Sequence, residues 1–257
     1  MTEQIKILGL SKQGKKYKVE TSKKDYLFTE DTILKFLVYK DKSFSEAEFA
    51  EILKYDAESN LFNKTLNYLS YQSRSTKEVR DYLLKYAEEE VAEAIIGRLT
   101  SLGYLNDELF VQNAFEHAVR NFKGPRYLEE KLKSKGISVA LIKDIKSRFN
   151  EGLEKELVLN YLAKVKDKQK DKPVKKQKVL LSQKLLRAGF GYEVISECLR
   201  KTEFKDESEA TLQKVIPRLE EKYAALEPYQ KRERIIGRLL QAGYSYAEIL
   251  THLNREE

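Results

Sequence analysis

Residues 184–199 read KLLRAGFGYEVISECL, and residues 238–253 read RLLQAGYSYAEILTHL. Aligned without gaps, they agree at seven of sixteen positions: Leu185, Leu186, Ala188, Gly189, Tyr192, Ile195 and Leu199 answer to Leu239, Leu240, Ala242, Gly243, Tyr246, Ile249 and Leu253. A third copy, KLKSKGISVALIKDIK from Lys131, puts Leu132, Gly136 and Ile142 at the matching places, which makes the periods 53 and 54 residues. A weaker fourth, YLLKYAEEEVAEAIIGRL from Tyr82, lacks the turn glycine.

Each copy reads as two helices and a short turn. The glycine supplies a left-handed residue that closes the first helix, and Ile137, Phe190 or Tyr244 follows it with the usual apolar contact. Ser138, Gly191 and Ser245 then stand where the next helix needs an N-cap. A further helix-period segment precedes each pair: LFNKTLNYLSYQ from Leu61, DELFVQNAFEHAVRNF from Asp107, LEKELVLNYLAKV from Leu153 and SEATLQKVIPRLEEKYAAL from Ser208. Leu109, Phe110, Ala114 and Ala118 illustrate the spacing of three and four that marks an apolar helix face. Pro217 is expected to kink or shorten the last segment.

The pattern predicts a mostly α fold: an elongated tandem array of four three-helix repeats behind a small α+β amino-terminal region. The boundaries read as 1–59 for that region, then 60–106, 107–151, 152–206 (with a lysine-rich loop at 164–178) and 207–257. In the first part IKILGL, KYKVE and DYLF alternate apolar and polar residues and predict two or three strands. A short helix near 32–39 follows, and Ser45 with Glu48 forms a capping box ahead of Phe49, Ile52 and Leu53.

The 257 residues are 41% hydrophobic and 35% charged, enough for one or two cores. No apolar run is long enough to span a bilayer, MTEQIKILGLSKQGKK does not have the pattern of a secretory signal, and the one cysteine, Cys198, cannot form an internal disulfide. A cytoplasmic protein with no membrane association is expected. Of the net charge of +7, residues 164–187 alone carry +8, from nine Lys and one Arg against Asp167 and Asp171, leaving −1 for the remainder. One localised basic surface is implied rather than a uniformly basic molecule.

Chemistry-bearing motifs are sparse. Gly9 to Lys16, GLSKQGKK, approaches the phosphate-binding loop, but Lys16 replaces the hydroxyl residue and a strand pattern follows instead of a helix. A hairpin turn is the better reading. His117 and His252 have no ligands at zinc spacing, and Cys198 sits between Ile195 and Leu199 as a buried structural thiol. The carboxylates alternate with lysines as on solvated helix faces. No catalytic residue, metal, cofactor or small-molecule substrate is expected, and the chain does not read as an enzyme.

Positive charge recurs at the junction between the first and second helices of every repeat. The residues are Arg74 and Lys77; Lys123 and Arg126; Lys164, Lys166, Lys168, Lys170, Lys172, Lys175, Lys176 and Lys178; and Lys231, Arg232 and Arg234. In a stacked array these would form a stripe along one edge, suited to a polyanion parallel to the array; they also read as ordinary solubilising charge at helix ends. Tyr and Phe number 16 and 11, and most, such as Phe110 and Phe115, fall at core spacing. Residues alone therefore reach a helical-repeat binding protein with a basic edge, either for nucleic acid or as a scaffold for another protein.

Three motifs add a resemblance. QSRSTKEVRDYLLKY resembles a RecX-family pattern through Arg74, Ser75, Glu78, Val79 and Leu83. LGYLNDELFVQNAF is similar to a second through Gly103, Tyr104, Leu105, Asp107 and Phe110, with Asn106 for the usual Asp and Val111 for Ala. KGPRYLEEKLKSKGI resembles a third through Gly124, Pro125, Leu128, Lys135, Gly136 and Ile137. The amino-terminal strands fit the longer Gram-positive-type members. The resemblance implies a regulator that binds RecA recombinase filaments on DNA, lies in their groove and limits their growth, ATPase and strand exchange, with some direct binding of single- or double-stranded DNA.

Overall fold

A computed structural model of the chain describes residues 4–253. The amino-terminal part is an antiparallel sheet of β1 (Gln4–Gln13), β2 (Lys16–Thr21), β3 (Tyr26–Thr29) and β4 (Ser43–Ser45), in the order β3-β2-β1-β4. The GLSKQGKK segment closes the β1–β2 hairpin, with Gly14 at φ +63°. The sequence pattern does not reveal β4, whose three residues are too few for alternation to register. Between β3 and β4 lies α1 (Glu30–Phe36).

Ile5, Ile7, Val19 and Phe28 point from the sheet onto Ile33, Phe49 and Ile52. The last two belong to α2 (Glu46–Ser70), which opens with the Ser45–Glu48 capping box. A buried carboxylate ties sheet to helix. Asp56 Oδ1 accepts from the Thr29 N–H at 2.7 Å and the Thr32 hydroxyl at 2.8 Å, while Oδ2 accepts from the Asn60 amide at 2.7 Å. α2 is continuous over 25 residues, so two stretches that read as separate helices are one, and residues 59 and 60 lie within it. Leu53, placed on its apolar face by spacing, is exposed.

Helices then follow in threes. After the second half of α2 come α3 (Thr76–Leu83) and α4 (Glu89–Ser101). The next set is α5 (Asp107–Arg120), α6 (Pro125–Ser134) and α7 (Val139–Ser147). The third is α8 (Glu151–Val165), α9 (Val174–Arg187) and α10 (Tyr192–Lys201), and the fourth α11 (Ser208–Lys222), α12 (Pro228–Ala242) and α13 (Tyr246–Leu253). The fold is mostly helical, as the sequence predicts. Gly136, Gly189 and Gly243 take φ of +70°, +92° and +102° at the ends of α6, α9 and α12. Ser138 caps α7 by accepting from the Leu141 N–H, and Ser245 caps α13 through the Glu248 N–H.

Three local expectations change. Pro217 sits inside α11 and does not end it; Pro217 and Gln213 are both exposed residues, and the proline, having no N–H, leaves the Gln213 carbonyl without its helical donor. Leu109 is 57% exposed although its spacing placed it in the core, and Phe110 is only half-buried. The lysine-rich segment 164–178 is not a loop: α8 runs to Val165, a 3₁₀ turn covers Lys166–Gln169 and α9 begins at Val174.

The chain divides into two compact units, Met1–Phe110 with Lys135–Ile137, and Val111–Ser134 with Ser138–Glu257. The first holds the sheet core and a second cluster built on Leu61, Phe62, Val79, Leu83, Ile95 and Leu99. In the second, α11, α12 and α13 enclose Leu212, Ile216, Ile235, Leu239 and Ile249. Cys198 is a free, buried thiol facing the Lys155 carbonyl, and its burial holds its pKa above the usual value.

Candidate nucleic-acid interface

All four basic junctions lie at the start of a second helix, where backbone N–H groups lack intrahelical partners and the helix dipole is positive. Three of these ends are occupied from within the chain. The Ser75 hydroxyl, at the head of α3, donates to the Lys135 carbonyl at 2.6 Å, and the Lys77 side chain covers Gly136. At α6 the Gly124 N–H donates to the Ala188 carbonyl at 2.8 Å and the Arg126 N–H to the Gly189 carbonyl at 3.1 Å. At α9 the Lys176 stem covers Gly243 and its ammonium donates to the Gln241 carbonyl at 3.0 Å. At α6 and at α9, orphan carbonyls ending one second helix meet the positive start of another. The repeated glycine therefore serves twice: it turns the chain, and it leaves no Cβ where the neighbouring helix must sit.

Much of the basic set is engaged inside the fold. Arg74 stacks on Tyr68 at 4.3 Å and lies 3.5 Å from Glu78, which also accepts from Lys135 at 2.5 Å and the Ser75 N–H at 3.2 Å. Burial opposes ionisation of Glu78, but these donors outweigh it and hold its pKa below the usual value. Lys123 lies over Tyr127, Lys164 over Phe122 and Lys178 over Phe204. Lys166 reaches the Glu203 carbonyl, while Lys170 pairs with Glu207 and Lys172 with Asp171. Arg126 lies in the field of Glu154, whose pKa burial raises. Arg232 is half-buried. Lys77, Lys168, Lys175, Lys231 and Arg234 form no ion pair among the described residues, and all but Lys231 are exposed.

Sequence reasoning missed an aromatic column in the first unit. Tyr68 of α2 and Tyr82 of α3 stack at 4.2 Å with 5° between ring planes, and Tyr86 meets Tyr82 edge-on at 5.3 Å. Arg74 closes the Tyr68 end, and the Lys64 ammonium lies 5.6 Å from the Tyr86 ring centre. The helical spacing of 82 and 86 was the available signal; the partner ring on α2 was not visible in sequence.

The segment 62–99, which holds α3, most of α4 and the end of α2, matches the family model described as RecX, first three-helix domain. The regulatory protein RecX of Bacillus velezensis is 32% identical over 232 residues, 88% of each chain. The chain belongs to the RecX family. The RecX of Listeria welshimeri is 30% identical over 267 residues, covering 98% of this chain and 97% of its own. Among solved structures, a regulatory protein RecX superposes with a TM-score of 0.61 at 22% identity, covering 77% of this chain and all of that one. RecX from Lactobacillus salivarius gives 0.51 at 28% identity, over 57% of this chain and 97% of its own. Ser75, Glu78, Val79 and Leu83, which carry the first motif of the resemblance, are the capping box and buried face of α3 inside the matched segment. Family membership thus carries a regulatory role, with these motif residues serving the fold.

Proposed function

We propose that this RecX-family protein binds RecA recombinase filaments on DNA and limits their growth, ATP hydrolysis and strand exchange. The observation that carries the reading is the relationship to a regulatory protein RecX across 88% of both chains, combined with the partner that the RecX motifs imply. The protein acts in the cytoplasm as a binding protein rather than an enzyme, and needs no cofactor. Its working modules are the helical triplets 60–106, 107–151, 152–206 and 207–257. Lys77, Lys168, Lys175, Lys231 and Arg234 are the cations of the sequence-predicted set that we assign to phosphates or acidic recombinase surface, because no carboxylate among the described residues pairs with them.

Sedimentation of the protein with preformed RecA filaments, with naked DNA and with RecA alone tests the reading. Co-sedimentation with filaments, above what the same DNA retains, is expected. Equal retention on naked DNA, falling steeply with salt, would identify a general nucleic-acid binder instead. Retention on none of the three would leave a scaffold for some other protein.

A further inference from the structure

We infer that the groove beside Tyr86 in the first unit is a base-stacking site for single-stranded nucleic acid. The groove, about 370 Å³, lies between α2 and the turn from α3 to α4, with Tyr86 on one wall and Leu61, Ala87 and Val91 among its apolar lining. Tyr86 is 59% exposed, yet it is held at the end of the Arg74–Tyr68–Tyr82 column. An aromatic side chain that is both solvent-facing and fixed by ring contacts offers its face to a planar ligand with little rotamer entropy left to lose. The apolar lining suits the face of a base rather than its polar edge.

Charge separates a base from a bare anion as occupant. Lys54 and Lys64 line the groove and form no ion pair among the described residues, but Glu58 and Glu88 line it too. This near-neutral set does not favour a phosphate inside. It suits a neutral base stacked on Tyr86, with its phosphate held outside by the lysines. A duplex keeps its bases stacked on each other and has none to offer, so the site selects single strands. The assignment goes beyond the filament reading, since it stands on ring geometry and concerns nucleic acid without recombinase.

The chain contains no tryptophan, so a single Tyr86→Trp substitution makes its own reporter. Titration with polydeoxythymidylate is expected to quench its emission saturably, while Tyr39→Trp, an exposed position elsewhere in the same unit, stays bright. Tyr86→Ala should weaken single-strand binding about tenfold and leave duplex binding unchanged, with Tyr86→Phe restoring it. Because Tyr86 is largely exposed, the melting temperature of these variants checks that they fold. An unquenched Tyr86→Trp, or an equal loss of single-strand and duplex binding, would overturn the assignment. So would a Tyr86→Ala protein that binds single strands normally but fails to bind RecA filaments, which would make the groove a docking surface for protein. A wild-type protein inert toward filaments would sink the filament reading and leave this one standing.

Discussion

Gly189 and Gly103 separate the two duties of a turn glycine. Both have positive φ, +92° and +76°, so an alanine at either incurs a left-handed penalty of about 1 kcal/mol. A Cβ on Gly103 would meet open space, whereas one on Gly189 would collide with the Tyr127 backbone nitrogen. Gly189→Ala is therefore expected to cost about 3 kcal/mol, well above Gly103→Ala, as read from paired urea unfolding curves. The conformation of Gly189 was legible, because a glycine between two helix patterns has few other uses. The collision was not, since the backbone it meets lies 62 residues away in sequence. Charge at single residues makes a second prediction. Lys133 and Lys146 hold Glu129 at a pKa of about 2, below its ordinary 4.5. A depressed carboxylate contributes stability above its unfolded pKa and loses it as pH falls toward the folded one. Wild-type melting temperature should thus fall more steeply than that of Glu129→Gln between about pH 4.5 and 2.

At the scale of elements, the lysine-rich segment shows what a charge run conceals. Sequence shows eight lysines and a proline and suggests a flexible loop; it cannot show that Lys176 reaches a carbonyl on α12 or that Lys170 pairs with Glu207. These lysines divide by role. Lys176→Ala removes the stem lying over Gly243 and should cost about 1 kcal/mol, whereas Lys175→Ala should stay within about 0.5 kcal/mol. Changing Lys168 and Lys175 together to Gln should leave stability intact and lower the slope of log K against log salt by about 0.7 to 0.9 for each phosphate no longer neutralised. The junction between sheet and α2 was hidden for a related reason. Asp56 looks like any polar residue of a helix, yet it satisfies the Thr29 N–H, the Thr32 hydroxyl and the Asn60 amide. Asp56→Ala takes their shared acceptor away and should destabilise the protein by about 2–3 kcal/mol in thermal or urea unfolding.

For the whole molecule, periodicity exposed the helical triplets because a 53- or 54-residue spacing leaves apolar stripes that no single helix would need. The candidate surface was less legible, because net charge counts lysines whether or not they are neutralised. Lys170 counts toward the basic run although Glu207, which lies outside that run, pairs with it, and the Tyr86 groove lay outside the basic set altogether. The central claim, that this chain restrains recombinase filaments, concerns an activity of RecA and is best read there. The direct measurement is the rate of ATP hydrolysis by preformed RecA filaments on single-stranded DNA as the protein is added. The account predicts a progressive fall, complete at or below stoichiometric amounts. An unchanged rate at stoichiometric protein would contradict it.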